Sequence, residues 1–276
     1  MTETIDLEDK AREIRRLTLE CIGNFGMGHI GGCLSIADVL SVLYFERMNV
    51  DPNDPKKIDR DRLVLSKAHA GPALYSALAL KGFFPEDMLK TLNQPDTMLP
   101  SHCDMIRTPG VDMTAGSLGQ GLSAAVGMVL GAELSGLDIS VYAILGEGDC
   151  QEGSTWEAVM YAAHKKLSRL TAFVDLNGLQ IDGTVDEVNS LGDLAAKWTA
   201  FGWKTITVTD GNDVKQISEA LDNRDKEKPT AVILNTVKGK GVSFMENRFD
   251  YHHAVISKEQ LETAMAEMLG GSKSHA

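Results

Sequence analysis

Residues 139–183 are the part of the chain that most restricts its fold. Ile139–Leu145 and Leu170–Leu176 are short apolar runs of the kind that forms buried strands. Between these runs, apolar side chains recur at helical spacing, at Trp156, Val159, Met160, Ala163 and Leu167. Two strands joined by a helix form a βαβ unit, whose parallel strands end at the same edge of the sheet. The pattern therefore predicts an α/β fold with a central, mostly parallel sheet flanked by helices.

The segments before and after this unit continue the alternation of strands and helices. Further strands are expected at 62–66, 203–209 and 230–235, and further helices at 6–24, 37–47, 72–81, 122–135, 191–200 and 214–222. Ser35 is expected to cap the helix that begins at Ala37, and Ser257–Gln260 has the form of a capping box for a last helix. A chain of 276 residues can bury a large core, in one large domain or two small ones.

Polar residues stand just after several of the predicted strands. Glu147 follows the first strand of the βαβ unit, and Asn177 follows the second. If these strands are neighbours, a carboxylate and an amide meet at the edge where open α/β sheets bind ligands. His69 lies at a similar corner, after the strand expected at 62–66.

Glycine-containing loops carry further candidate residues. His29 lies in a loop with five glycines between residues 23 and 32, a composition that allows close approach of the backbone to a ligand. The long irregular stretch 93–121 contains His102, and it ends in Gly116, Gly119 and Gly121, whose amides are placed before a helix and favour an anion.

The carboxyl-terminal loop contains two lysines and two histidines. Lys238 and Lys240 alternate with glycines, and they either face an anion or lie in a solvated loop. His252 and His253 follow Phe249 and Tyr251, so the pattern alone favours a packed, structural pair.

The charge of the chain argues against large anionic partners. The net charge is −12, so neither nucleic acid nor an anionic membrane is an expected partner. No apolar run approaches the roughly 18 residues of a membrane span.

The four cysteines show no CxxC spacing, and with no signal peptide they indicate reduced thiols and a cytoplasmic protein.

Three hypotheses compete for the loop at Glu147. A dinucleotide site is disfavoured, because Gln151 replaces the last glycine of the GxGxxG pattern and Glu147 would repel a pyrophosphate. A metal-bridged diphosphate uses the carboxylate, since Mg²⁺ prefers hard oxygen ligands such as Glu147, Asn177 and a backbone carbonyl. In the third hypothesis Glu147 only caps the following helix. The spacing favours the second.

Several motifs together resemble one known family. Gly146-Glu-Gly148 is followed after 28 residues by Asn177 and then GLQIDG, which looks like the thiamine-diphosphate signature of transketolases. Other motifs that match this family in order are GHIGG (28–32), KAH (67–69), LPSH (99–102), TPG (108–110), GSLGQG (116–121), QEG (151–153), WEA (156–158) and KGKGVSF (238–244). The resemblance covers nearly the whole chain, and it is closest to the amino-terminal subunit of transketolases that are split over two polypeptides.

The resemblance implies a single diphosphate-binding domain over residues 1–270, followed by a flexible tail at 271–276. It implies Mg²⁺, or another divalent cation such as Ca²⁺ or Mn²⁺, held by Glu147, Asn177 and the carbonyl of Leu179. Contacts to thiamine diphosphate are implied for His69, Gly116, Ser117, Leu118, Gly148, Asn177 and His252. Catalytic roles around the substrate are implied for His29, His102 and His252, and Glu152 and Glu157 match acids at the subunit contact.

Two positions depart from the family pattern. Glu147 replaces the usual aspartate, and its extra methylene moves the carboxylate about 1.5 Å outward, which puts the metal preference in question. Asp149 is a conceivable substitute ligand. The second departure is Ser101-His-Cys103 in place of Gly-His-Pro, which changes both residues that flank His102.

The resemblance implies a function that needs a second chain. The expected activity is transfer of a two-carbon ketol unit from a ketose phosphate to an aldose, with a carboxy-terminal partner subunit in a heterotetramer. Alternatives are a dihydroxyacetone synthase, a transketolase specific for a modified sugar, or a cofactor-binding subunit that has lost catalysis. A nicotinamide-dependent oxidoreductase is the most distant alternative.

Overall fold

The strands of the structure, a computed structural model that describes residues 5–270, form two sheets. The tail expected at 271–276 lies outside the described residues. The strands are β1 (Met27–Gly28), β2 (Arg62–Leu65), β3 (Val141–Gly146), β4 (Leu170–Leu176), β5 (Lys204–Val208), β6 (Thr230–Asn235) and β7 (Ala254–Val255). Five of them form a parallel sheet in the order β2-β3-β4-β6-β5, and β1 pairs with β7 in a small antiparallel ladder. The predicted parallel α/β sheet is thereby confirmed.

Helices cover both faces of the large sheet. They are α1 (Leu7–Phe25), α2 (Gly31–Leu34), α3 (Ala37–Val42), α4 (Gly71–Lys81), α5 (Gln120–Leu134), α6 (Gly153–His164), α7 (Val185–Asn189), α8 (Leu194–Ala200), α9 (Val214–Asp222) and α10 (Lys258–Gly270). Within residues 5–270, no helix has the length and apolar character that crossing a membrane requires.

The central strands are buried on both sides because their alternate side chains enter two different cores. Tyr142 and Ile144 of β3 point into the core formed with α1, α3, α4 and α9. Ala143 and Leu145 point into the core formed with α5, α6 and α8. Such double burial explains why these strands read as continuous apolar runs and not as alternating ones. All four cysteines are buried in these cores as free thiols.

The register of the sheet places the ends of β3 and β4 side by side. Gly146 pairs with Asp175, and Leu176 pairs with Asn235 of β6. Glu147 and Asn177 therefore leave adjacent strands at the same edge, as the βαβ pattern predicts. This carboxyl edge carries the candidate site.

The helix predicted over 37–47 is divided into two parts in the structure. Helix α3 ends at Val42 and continues as a wider π-helical turn over Leu43–Arg47, and α2 forms a separate turn within the predicted glycine loop. The prediction that Ser35 caps the helix is wrong, because its hydroxyl instead donates to Asp175 at 2.8 Å and to the carbonyl of Gly32 at 3.2 Å. A buried carboxylate competes successfully for the hydroxyl that a helix end would otherwise use.

Candidate active site

One cavity of about 340 Å³ opens at the carboxyl edge of the sheet. Ten of the candidate residues line it: His29, His69, His102, Gly116, Leu118, Glu147, Gly148, Asn177, Leu179 and His252. Ser117 is exposed on the adjoining loop and does not line the cavity, and Glu152 and Glu157 are exposed around the start of α6. The structure thus brings together residues from six separate segments of the chain.

Four of the candidate histidines form one cluster around His29. Its ring centroid lies 5.2 Å from that of His69, 5.8 Å from that of His102 and 5.6 Å from that of His252. His102 reaches this cluster although Ser101 and Cys103 flank it. An array of imidazoles in a cavity can donate to and accept from the hydroxyl groups of a sugar.

The small β1–β7 ladder explains how His29 meets residues from a segment more than 220 positions later in the chain. Gly28 pairs with Ala254, so His29 lies beside the histidines that precede Ala254. His253, which the sequence pattern assigned to packing, has its ring only 4.5 Å from that of His29. A ladder of two residues has no recognisable sequence pattern, so this contact was not predictable.

The environment keeps the clustered histidines neutral. Burial, followed by the neighbouring histidines and Lys238, lowers the pKa of His29 to about 4. Burial and the charge of Lys238 lower the pKa of His252 to about 3. The pKa values of His69 and His102 are also lowered by burial. Neutral rings can both donate and accept protons near pH 7.

The candidate metal ligands meet in the loop after β4. The Glu147 carboxylate accepts hydrogen bonds from the amide of Asn177 at 3.2 Å and from the amide of Gly178 at 3.0 Å. The side-chain oxygen of Asn177 accepts from the amide of Leu179, a residue that also lines the cavity. Burial, and next the nearby Asp175, raise the pKa of Glu147 to about 7. A buried carboxylate beside a second one is an environment that a cation stabilises.

Asp149 accepts three hydrogen bonds from the protein, so Glu147 is favoured over it as the metal ligand. The Asp149 carboxylate accepts from the amides of Gly119 and Gly146, each at 2.8 Å, and from the hydroxyl of Ser66. These bonds tie the loop after β3 to the start of α5 and to the end of β2. Glu147 therefore remains the cavity-lining carboxylate that we favour as the metal ligand.

A buried ion pair beneath the cavity was not predicted. The ammonium of Lys67 bonds to Asp175 and, at 2.8 Å, to the carbonyl of Gly32. Asp175 also accepts from Asn177 at 3.0 Å and from Thr236. Burial alone would raise the pKa of Asp175, but Lys67 and the hydroxyl donors hold it below its ordinary value. This network fixes the orientation of the Asn177 amide.

Lys238 supplies a second buried cation at the cavity wall. Only 1% of its surface is exposed, and its ammonium donates to the carbonyl of Leu179 at 2.9 Å. Burial, and next Lys67, lower the pKa of Lys238 to about 8. The two lysines of this loop therefore differ in position, because Lys238 lines the cavity and Lys240 does not.

The oxygen atoms present suit a hard divalent cation that shares its ligands with a phosphate. Glu147 offers a carboxylate and Asn177 and Leu179 offer neutral oxygens, which match the preference of Mg²⁺. Within residues 5–270 no three His, Cys, Asp or Glu side chains are grouped to hold a metal by themselves. A cation here would therefore take its remaining ligands from the diphosphate and from water. The residues fit the predicted pair of metal and diphosphate.

Comparison with known proteins shows the family to which the chain belongs. Residues 7–274 match the family model described as transketolase, thiamine diphosphate binding domain. The chain is 52% identical to the 6-deoxy-6-sulfo-D-fructose transketolase subunit SqwG of Clostridium sp. (strain MSTE9), covering 96% of this chain and 97% of that protein. It is 40% identical to one subunit of the apulose-4-phosphate transketolase of Phocaeicola vulgatus, covering 96% and 94% of the two chains.

Solved structures extend the comparison to longer enzymes. The transketolase of Leishmania mexicana superposes with a TM-score of 0.90 at 30% identity, over 96% of this chain and 42% of that one. The transketolase of Campylobacter jejuni gives 0.89 at 31% identity, over 95% and 42%. This chain therefore spans about two fifths of the length of these enzymes. The resemblance drawn from the motifs is confirmed, as is the enzyme class: the chain belongs to the transketolase family and corresponds to its thiamine-diphosphate-binding domain.

Proposed function

We propose that this chain is the amino-terminal subunit of a two-chain transketolase, which moves a two-carbon ketol unit from a ketose phosphate to an aldose. The observation that carries the proposal is the convergence of four histidines, Glu147, Asn177 and the Leu179 carbonyl on one cavity. Neutral imidazoles and a buried acid at one strand edge suit a reaction that moves protons on sugar hydroxyls.

The proposed roles follow from where each group lies. Thiamine diphosphate, when bound, supplies the electron sink for the two-carbon unit. Glu147, Asn177 and Leu179 hold Mg²⁺, Ca²⁺ or Mn²⁺ against the diphosphate. His69, Gly116, Leu118, Gly148, Asn177 and His252 would contact the cofactor from the cavity lining, and Ser117 would contact it from the adjoining loop. His29, His102 and His252 bind substrate oxygens and exchange protons with them.

We infer that the site is completed by a carboxy-terminal subunit in a two-plus-two heterotetramer, with Glu152 and Glu157 at the contact. The names of the related subunits support the need for a partner. The cavity wall contains histidines and two buried lysines, but Lys67 is already paired with Asp175. Reading a sugar phosphate therefore needs further cations from the partner. The four free, buried cysteines fit a reducing compartment, and we place the enzyme in the cytoplasm.

The test is reconstitution. The purified chain should bind thiamine diphosphate with Mg²⁺ and show no ketol transfer alone, and activity should appear when the partner chain is added. Size-exclusion chromatography with light scattering should give a complex of two copies of each chain. Full turnover by this chain alone would overturn the split-site proposal.

A second candidate function is ketol transfer on a modified sugar, within the same reaction class. It is favoured by the named substrates of the relatives, a sulfonated fructose and a branched sugar phosphate. The reconstituted enzyme should be assayed with fructose 6-phosphate, 6-deoxy-6-sulfofructose and apulose 4-phosphate as donors. The ratio of their kcat/KM values decides between general pentose phosphate metabolism and a specialised sugar pathway.

Two alternatives, a subunit that has lost catalysis and a nicotinamide-dependent enzyme, each make a prediction that differs from that of the proposed function. A subunit that has lost catalysis through Glu147 should gain activity sharply in Glu147→Asp. A nicotinamide enzyme should be stabilised against heat by nicotinamide nucleotides and not by thiamine diphosphate with Mg²⁺. The proposed function requires that thiamine diphosphate with Mg²⁺ stabilises the chain and nicotinamide nucleotides do not. It also requires that Glu147→Asp brings no sharp gain in activity.

A further inference from the structure

The environment of Lys238 fixes the position of its ammonium. The chain turns sharply after β6, and Gly239 has a positive φ of 76° that permits this turn. The amide of Gly239 donates to the carbonyl of Gly31 at 3.0 Å. A Cβ on Gly31 would lie 3.0 Å from the Lys238 stem and 2.8 Å from the carbonyl oxygen of Tyr251. The two glycines thus let the lysine stem pack tightly against the loop that carries His29.

The ammonium of Lys238 has two partners of different kinds. It donates to the carbonyl of Leu179 at 2.9 Å, and it lies 3.0 Å from Nδ1 of His252. A protonated lysine has three donors and no acceptor. Nδ1 of His252 must therefore be the acceptor, which places the single ring proton of the neutral imidazole on Nε2.

The other ring nitrogen is free to act on a ligand. His252 lines the cavity, and no hydrogen bond among the described residues involves its Nε2. Its ring lies 5.1 Å from that of His69 and 5.6 Å from that of His29, the residues that surround the same space. Which nitrogen of a histidine carries the proton is set by the bond that the other nitrogen makes.

We propose that Lys238 is a positioning residue that fixes the tautomer of His252, so that Nε2–H points into the cavity and donates to a hydroxyl or carbonyl oxygen of the sugar. The nature of that oxygen rests on the proposed function, but the tautomer does not. Lys238 also bonds to the carbonyl of Leu179. One side chain therefore fixes the position of His252 relative to the loop that carries the candidate metal ligands.

The experiment is ¹⁵N NMR of the histidine rings in the full chain, with the signals of His252 assigned from their loss in His252→Asn. In the wild-type chain at pH 7.5, Nδ1 should show the shift of an unprotonated nitrogen that accepts a hydrogen bond, and Nε2 that of a protonated one. Lys238→Met should remove the hydrogen-bond shift from Nδ1, and loss of the adjacent charge should make the ring about tenfold easier to protonate.

Two further variants separate the hydrogen bond from the charge and from general damage. Lys238→Gln keeps an uncharged donor on a side chain one atom shorter, so an Nδ1 signal retained in this variant would assign the effect to the hydrogen bond, and the ring should still become easier to protonate. Lys240→Met, two residues along the same loop, should change neither the Nδ1 signal of His252 nor the ease with which the ring is protonated. A Lys238→Met spectrum equal to that of Lys240→Met would overturn the proposal. If Lys238→Met does not fold, the wild-type spectrum still decides, because a proton on Nδ1 of His252 in the wild-type chain would overturn the proposal as well.

Kinetics of the reconstituted enzyme separate this proposal from the proposed function. Lys238→Met should lower kcat by at least about tenfold with a smaller effect on KM, because the ring loses its defined donor. Absence of ketol transfer in the wild-type complex would contradict the proposed function and leave the NMR result intact. An active wild-type complex with unchanged kcat in Lys238→Met would overturn the positioning role alone.

Discussion

Glu147 uses its extra methylene to reach the loop after β4. Its carboxylate lies within hydrogen-bond distance of the amides of Asn177 and Gly178. A carboxylate has more acceptor sites than two amides fill, so oxygen lone pairs remain for a cation. The longer side chain is thus accommodated by the loop, and the position still faces the cavity.

Glu147→Ala should abolish the stabilisation that thiamine diphosphate with Mg²⁺ gives to the chain, because the only carboxylate among the candidate ligands is lost. Glu147→Asp should retain it. The measurement is the shift in Tm on adding cofactor and metal. Glu133→Ala, on the exposed face of α5, serves as the control. An unchanged shift in Glu147→Ala would show that the metal is held elsewhere.

Asp175→Asn should destabilise the chain by about 3–5 kcal/mol, because it leaves the ammonium of Lys67 buried without a counter-charge. Urea denaturation measures the free energy of unfolding. Asp250→Asn breaks an exposed pair with Arg248 and should leave stability almost unchanged. Equal stability of the two variants would show that the ammonium of Lys67 finds another partner.

The sequence predicted the residues at the cavity surface better than those beneath it. Glu147 and Asn177 were identifiable because they follow apolar runs and stand in a recognisable spacing. Asp175 lies inside such a run, where an acid gives no signal of its own, and Lys67 looks like any residue that follows a strand. The buried partners of a site residue depend on which segments meet, and that is decided only by the tertiary fold.

At the scale of elements, the boundaries were predicted where a single periodicity holds. α9 and β6 begin and end where their patterns do, at Val214–Asp222 and Thr230–Asn235. The helix over 37–47 was located correctly, but the sequence showed neither its π-helical turn at Leu43–Arg47 nor the long-range network that takes the Ser35 hydroxyl from the helix end. The β1–β7 ladder was missed because its pairing depends on two short segments far apart in the sequence.

Two glycines of α5 should respond in opposite directions to the same substitution. A Cβ on Gly121 would lie 2.5 Å from the side chain of Ser66 and 2.7 Å from its backbone, so Gly121→Ala should destabilise the chain by about 1–3 kcal/mol. A Cβ on Gly127 would meet no atom within 4 Å, so Gly127→Ala should stabilise it by roughly 0.5–1 kcal/mol.

Urea denaturation of the free chain measures both effects. The pair controls for helix propensity, since each variant gains the same methyl group in the same helix. Stabilisation by Gly121→Ala would mean that β2 and α5 separate more easily than their packing indicates.

At the scale of the whole molecule, the neutral histidine cluster should make stability depend on pH. An unfolded histidine titrates near pH 6.5, whereas the pKa is about 4 for His29 and about 3 for His252 in the fold. Below about pH 6.5 the unfolded state therefore binds more protons than the native state. The free energy of unfolding should therefore fall as the pH decreases from about 6.5, and this loss should level off as the folded rings take up protons, near pH 4 for His29 and near pH 3 for His252.

The prediction is checked by urea denaturation of the cofactor-free chain between pH 7.5 and 5. Replacing both His29 and His252 by asparagine should make the loss of stability over this interval smaller than in the wild-type chain. His164→Asn, on the exposed end of α6, should leave the pH dependence as it is. Identical pH dependence in all three proteins would show that the clustered rings titrate normally.

The burial of all four cysteines has a consequence for the chemistry that this enzyme must tolerate. Aldoses are electrophiles, and exposed thiolates add to aldehydes and are oxidised readily. Burial raises the pKa of each of these thiols, so none is presented as a thiolate. A chromogenic disulfide reagent should find no reactive thiol in the folded chain and four in denaturant. Any cysteine introduced on the surface would therefore be the only point of attachment for a thiol-directed label.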